Sequence, residues 1–436
     1  MFGKGNQDCQ SYAKFVTTVA KQLGKKSPSI QQSIDDALRS DPSILDKGLE
    51  DQWNSLVLEP LAHFPKTQMS FLLVIDALDE CTDGEWLLRK LLQKESTGLR
   101  ILITSRPHLL PPDSSDTRYH HIVLHDIEPA IVNRDIRLFF QMAVNPRRHG
   151  WPDASSLELL MHKANGIFEW AALASRFLNK SKGVYKTNLQ KLLGDGVSHP
   201  PQRALSVLYL TILDDYVKSQ EWEPDSHFTC CGILRRYLGS LVVLFDQLSP
   251  RSFYKLIASD TDDIDVHDIL SNLKSIIDFP NDEENSIDKI RIHHSTFREF
   301  LLDRELCTDD TFYVDKRAAH KVVLNGCLDL LLKTLKRGIC QSDDPSFDHA
   351  TAPSYPRQAI TPEIQYACLN WVAHLIECGG TFYENATISR LLLNHSLHWL
   401  EVLGCMGRSV EALNALENLS SLAKACPCAP LKIDFL

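Results

Sequence analysis

Apolar residues along this chain are spaced in two different ways. Near the front they crowd together: Phe71-Leu72-Leu73-Val74-Ile75 and Leu99-Arg100-Ile101-Leu102-Ile103 are short, almost unbroken apolar runs. Runs of this kind predict strands buried on both faces, as in a parallel sheet. Between them, Thr82–Thr97 places Trp86, Leu87, Leu91 and Leu92 on one helical face. Strand, helix and strand at that spacing predict a crossover joining two parallel strands. Gln10–Leu23, Ser29–Leu38 and Glu50–Leu61 read as helices, with Gly24-Lys25-Lys26-Ser27-Pro28 breaking the first from the second. Pro107–Thr117 is rich in proline and serine and predicts a loop, and Tyr119–Leu124 reads as a final strand.

From about Pro129 the spacing turns helical, in Ile131–Val144, Leu157–Leu178 and Ala204–Val217. Glu221–His227, with Pro224 and three acids, reads as a linker. Helices at Ile233–Phe245, Pro250–Ala258 and Val266–Ile276 then lead to two short strands, Ile276–Phe279 and Ile290–His293, joined by the turn-rich Pro280–Asp288. That order is a winged helix. Ser249 before Pro250 has the form of an N-cap, and Thr296 with Glu299 that of a capping box. Residues 304–436 read as mostly helical, as at Cys368–Leu375 and Ile388–Leu403, around a loop at 342–361. No period of 20–50 residues marks a repeat array.

The chemistry concentrates where the first apolar run ends. Five apolar residues lead straight into Asp76, and Asp79 and Glu80 follow. Open α/β sheets bind ligands at the carboxyl ends of their strands, where Asp76 would sit. An acid there can hold Mg²⁺ through its water shell, and Asp79 or Glu80 can orient an attacking water. The crossover would put Arg106 on the same edge, where its planar fork suits a terminal phosphate. The bland alternative is a buried strand followed by a solvated acidic loop.

These residues carry a resemblance. Leu72–Glu80 and Leu99–Pro107 resemble the Walker B and sensor 1 elements of NACHT-type NTPases, signal-transducing relatives of the AAA+ ATPases, and look closest to the fungal members. Ala164-Asn165-Gly166-Ile167-Phe168-Glu169-Trp170-Ala171-Ala172 resembles the helix after the family's nucleotide domain. His293–Asp303 resembles the end of its winged-helix module, and Tyr366–Leu375 a helix common downstream. The resemblance implies a fold of α/β plus mostly α class: an incomplete parallel-sheet P-loop NTPase core in residues 1–125, a helical subdomain and linker in 126–228, a winged-helix-like domain in 229–303 and a helical region in 304–436. It also implies that His294 meets the ADP phosphate in the closed state; the competing reading is a histidine closing the strand–helix corner.

One departure changes the picture. A nucleotide site needs backbone amides at a helix N-terminus to wrap the phosphates and a lysine to reach them. Nothing in the 436 residues fits GxxxxGK[ST]; Gly3-Lys4-Gly5-Asn6 has no strand before it and no hydroxyl residue after its lysine. The family's first strand and P-loop would fall before residue 1. The expectation is therefore a truncated NACHT-type signalling chain that works through protein contacts, related NACHT proteins among them, with no cofactor of its own. The alternative is an ATP/ADP switch whose P-loop lies in a segment upstream of residue 1, with Mg²⁺ on Asp76.

Bulk properties narrow the partners. At 436 residues and 44% hydrophobic, the chain has room for two to four domains. A net charge of −10 argues against nucleic-acid or anionic-membrane binding, and the acids Asp278, Asp282, Glu283, Glu284 and Asp288 around the wing would repel DNA. No stretch approaches the ~20 apolar residues of a membrane span, and no signal peptide opens the chain. Twelve scattered cysteines without a metal-site pattern read as reduced core thiols, and so as cytoplasmic.

Overall fold

A computed structural model describes residues 14–63, 71–81, 84–92, 99–106, 109, 119–144, 153–180, 185–194, 200–220, 224–258, 266–280, 288–339, 360–380 and 386–424. The chain divides into two compact units, Met1–Val123 and Leu124–Leu436. Most of the described residues are helical.

In the first unit, β1 (Phe71–Ile75) pairs with β2 (Leu99–Ile103) in parallel, Phe71 opposite Leu99 and Ile75 opposite Ile103. The helix Gly84–Leu92 lies between them in sequence, as the crossover pattern requires. Alternation along the strands sends Phe71, Leu73, Ile75, Leu99, Ile101 and Ile103 into a core with Val16, Ile30, Leu56, Val57 and Leu87. That core is supplied by Phe15–Lys26, Pro28–Ser40, the segment from Leu49 to Ala62, and Gly84–Leu92.

Burial on both faces does not hold. Leu72, Val74 and Leu102, which share the other face, are 61%, 52% and 52% exposed. A parallel sheet covered on both sides needs a helical layer on each; here the helices contribute to one core on one face. The expected strand Tyr119–Leu124 is not formed either: 119–123 are irregular, Leu124–Asp126 is a 3₁₀ turn, and Ile122 and Leu124 are exposed. A strand persists only where its amides and carbonyls find a neighbour, and β1 and β2 are the whole sheet among the described residues of this unit. The expected five-residue helix break shrinks to Ser27, the extended residue between Lys26 and Pro28, which starts the next helix at its first position.

In the second unit the helices are Pro129–Ala143, Ala154–Ala164, Phe168–Asn179, Tyr185–Leu193, Pro201–Ser219 and Pro224–Val243. The single helix expected at Leu157–Leu178 is two. Asn165 (φ 45°) and Gly166 (φ 78°) enter the left-handed region and end the first, with the Asn165 amide bonded to the Met161 carbonyl at 3.1 Å. The expected linker at Glu221–His227 is corrected in the same way: Pro224 opens a 20-residue helix. Pro250–Ile257 is capped by Ser249, whose hydroxyl accepts from the Ser252 amide at 3.3 Å. After Val266–Ser271 come β3 (Ile277–Asp278) and β4 (Arg291–Ile292), paired antiparallel. Most of the expected wing, 281–287, and of the expected loop, 340–359, lie outside the described residues.

Ser295–Leu302 closes the hairpin, and Lys316–Thr334, Pro362–Glu377, Ala386–Cys405 and Ser409–Lys424 follow. One hydrophobic core runs from Ile136 through Phe297 and Trp371 to Leu419. It encloses a polar chain: the Phe245 amide donates to Tyr366 Oη (3.2 Å), Tyr366 Oη meets His374 Nε2 (2.7 Å), and His374 Nδ1 meets His320 Nδ1 (2.8 Å). Every proton in this chain finds an acceptor if Tyr366 donates to His374 and His374 to His320, which makes both histidines neutral. The described cysteines are free thiols, and no described helix is long and apolar enough to cross a membrane.

Candidate functional site

The residues singled out in the first unit meet where its strands end. Asp76 continues the open face of β1, and Thr104, opposite it in register, continues that of β2. The Thr104 hydroxyl donates to Asp76 Oδ1 at 2.6 Å and accepts from the Ala77 amide at 3.0 Å. The Leu78 amide reaches the Thr104 carbonyl at 3.0 Å, and the Thr104 amide the Ile75 carbonyl at 2.9 Å. These bonds hold Ala77 at φ 55°, ψ 51°, a left-handed conformation that costs an L-residue roughly 1–2 kcal/mol. The return is the reversal that drops Leu78, fully buried, into the core and starts the turn Leu78–Glu80.

That turn brings Asp79 back to the end of β2. Its Oδ1 accepts from the Arg106 amide at 3.2 Å and its Oδ2 pairs with Arg106 Nε at 3.3 Å. The Asp79 carboxylate is 7% exposed, while Arg106 keeps 42% of its side chain in solvent. Both carboxylate oxygens of Asp79 are therefore engaged by one arginine. Glu80 donates its amide to the Ala77 carbonyl at 3.0 Å and lies at the rim, half-buried.

Mg²⁺ and a nucleotide triphosphate are the groups that the resemblance implies at this edge. Mg²⁺ demands near-octahedral oxygen ligation and takes it from one or two carboxylates, water and substrate phosphates. Asp76 has one oxygen committed to Thr104 and Asp79 has both committed to Arg106. Among the described residues no three histidine, cysteine or acidic side chains converge as metal ligands. With three of the four Asp76 and Asp79 carboxylate oxygens already bonded, the described residues by themselves do not fit the metal–triphosphate pair. No catalytic step is derived through it.

His294 belongs to the second unit. It caps the Ser295–Leu302 helix: its Nδ1 accepts from the Thr296 amide at 3.3 Å and lies 2.8 Å from the Thr296 hydroxyl. An Nδ1 that accepts from an amide carries no proton, so the ring is the Nε2–H tautomer. Thr296 Oγ1 in turn meets Tyr209 Oη at 2.9 Å, and the Tyr209 ring packs 5.0 Å from Phe297. Burial raises the Tyr209 hydroxyl's pKa. The expected Thr296–Glu299 capping box is replaced by the histidine. His293, on the other side of its strand, reaches the Lys274 carbonyl through Nε2 at 3.1 Å.

Two contributors were not singled out from sequence. Thr104 has a legible signal, a hydroxyl at the strand position that the crossover sets opposite Asp76. Ala77 has none, since alanine is an unfavourable residue for a left-handed turn.

Comparison with known proteins finds two similarities. The family described as Nephrocystin 3, N-terminal, matches residues 1–106, the segment that contains β1, β2, Asp76, Asp79, Glu80 and Arg106. The chain is also 22% identical over 389 residues to vegetative incompatibility protein HET-E-1 of Podospora anserina, a match that covers 82% of this chain and 27% of the relative. The chain thus spans about a quarter of that relative's length. No solved structure matches it.

Proposed function

We propose that this chain is a NACHT-type signalling segment that acts by docking to another protein and not by turning over ATP. The process is of the kind its distant relative's name records, vegetative incompatibility. The observation that carries the reading is the uncovered sheet face. Val74 lies opposite Leu102, and Leu72, on the same face, lies opposite the exposed Arg100; the three apolar side chains are more than half exposed. Burying such a side chain contributes about 1.5–3 kcal/mol, so covering all three would add several kcal/mol to an association. The engaged state of Asp79 and Arg106 supports the second half of the proposal: these groups stabilise the strand ends of the free chain. The occupant proposed for the face is a related NACHT-type chain.

Val74→Glu tests this directly, because it charges the face without touching the core side. Affinity capture of the full chain from cells that express it is expected to recover a NACHT-type protein with the wild type and lose it with the variant. Recovery of the same protein by both would contradict the docking surface; recovery of none by the wild type would contradict the partner.

A further inference from the structure

A second site lies wholly within the second unit, on elements that the proposed docking face does not use. The C-terminal half of Phe168–Asn179 and the turn after Val266–Ser271 form the walls of an open cleft of about 620 Å³. Its lining includes Phe139, Ser175, Arg176, Lys180, Lys274 and Ser275, and no aspartate or glutamate. We propose that this cleft is a binding site for a small organic phosphate.

Arg176 spans the cleft. Its Nε donates to the Ser275 carbonyl at 2.8 Å and its Nη2 to Glu169 at 2.9 Å, which fixes the guanidinium plane and leaves Nη1 without a partner among the described residues. Lys180 follows Arg176 by one helical turn, so both point to the same side. Burial depresses the Lys180 pKa; Asp215 offsets this in part, and Lys191 adds to it. Neither Lys180 nor Lys274 has a carboxylate within ion-pair distance among the described residues. Three cations thus share one concavity with a single acid, Glu169, bonded to any of them. The carbonyl end of the helix contributes only about half a negative charge.

Beneath them, the hydroxyls of Ser175 and Ser275 are buried and have no hydrogen-bond partner among the described residues. Buried hydroxyls are ordinarily satisfied; these two lie beneath the accessible surface, so an anion in the cleft meets the cationic groups above them. The size selects the class. The cleft exceeds what an isolated inorganic ion fills and falls in the range of small-ligand pockets, with the Phe139 ring as an apolar wall for a carbon skeleton.

Calorimetric titration of the full chain with pyrophosphate and with fructose 1,6-bisphosphate tests the assignment. Saturable binding of both is expected, weakening as salt is raised, with the sugar phosphate the tighter. The double substitution Lys180→Gln, Lys274→Gln is expected to weaken it at least about tenfold, as loss of charge-assisted bonds does. Lys274→Glu alone, at an exposed position that leaves the fold untouched, should do the same. Asp76→Ala, in the first unit, should leave it unchanged. No saturable heat from the wild type, equal binding by the Lys274→Glu chain, or citrate binding as tightly as pyrophosphate would overturn the proposal.

Discussion

Replacing Thr104 by valine keeps the side-chain shape at the strand end and deletes the one hydroxyl that ties Asp76 to Ala77. Two bonds go: 2.6 Å to the Asp76 carboxylate and 3.0 Å from the Ala77 amide. A neutral bond contributes about 0.5–1.5 kcal/mol and one to a charged group about 1.5–3 kcal/mol. Thr104 is exposed, so solvent takes over part of both interactions. The expected loss is therefore about 1–2 kcal/mol of first-unit stability. Ala77→Gly relieves the left-handed strain, roughly 1–2 kcal/mol, against a chain-entropy cost of about 0.5–1 kcal/mol. It should leave the wild type equal or slightly more stable, and in the Thr104→Val background it should recover more than it adds alone, because glycine holds that turn without the clamp. Amide exchange of the Ile75 and Leu78 region reads the local stability of each of the four chains. Strict additivity, or a Thr104→Val chain as protected as the wild type, would refute the claim that Thr104 holds the strained turn.

Burial pushes His320 down to about 4 from its ordinary 6.5, and His374 well below that value, against the counter-pull of Glu377 on His320. The unfolded chain then takes up protons first as pH falls below 6.5, so stability drops from there toward pH 4, by about 2 kcal/mol at pH 5 for His320 alone. Urea midpoints flat across that window would contradict the neutral chain. Tyr366→Phe strands the Phe245 amide and His374 Nε2 in the core and should cost about 2–4 kcal/mol by urea denaturation, with an unchanged midpoint as the contrary result. Glu363 is buried and bonded to Ser252 at 2.9 Å and Lys255 at 2.7 Å; Glu363→Ala should lower the second unit's stability by about 2–3 kcal/mol in urea denaturation, and a loss under about 1 kcal/mol would contradict that account.

Part of the fold is legible in the sequence. The parallel pairing of β1 and β2 follows from two apolar blocks with a helix between them, and the hairpin from two shorter blocks around a polar turn. The face of the sheet was not legible, because an unbroken aliphatic run looks the same whether its second face meets helices or solvent. The split at Asn165–Gly166 was written in the chain as a helix stop and was overridden by apolar periodicity on either side. Pro224 read as a linker because of its acidic surroundings, whereas proline at a first helical position continues structure. The cleft of Arg176, Lys180 and Lys274 draws on segments about a hundred residues apart, a juxtaposition that only the folded chain supplies.

The account rests on the strand ends being self-satisfied and having no triphosphate cradle of their own. Calorimetric titration of the purified 436-residue chain with Mg·ATP, in parallel with Asp76→Ala, measures this most directly. The account predicts the same heat from both chains, any binding being the phosphate cleft's and lost with Lys274→Glu. Micromolar binding that Asp76→Ala abolishes and Lys274→Glu leaves intact would contradict it.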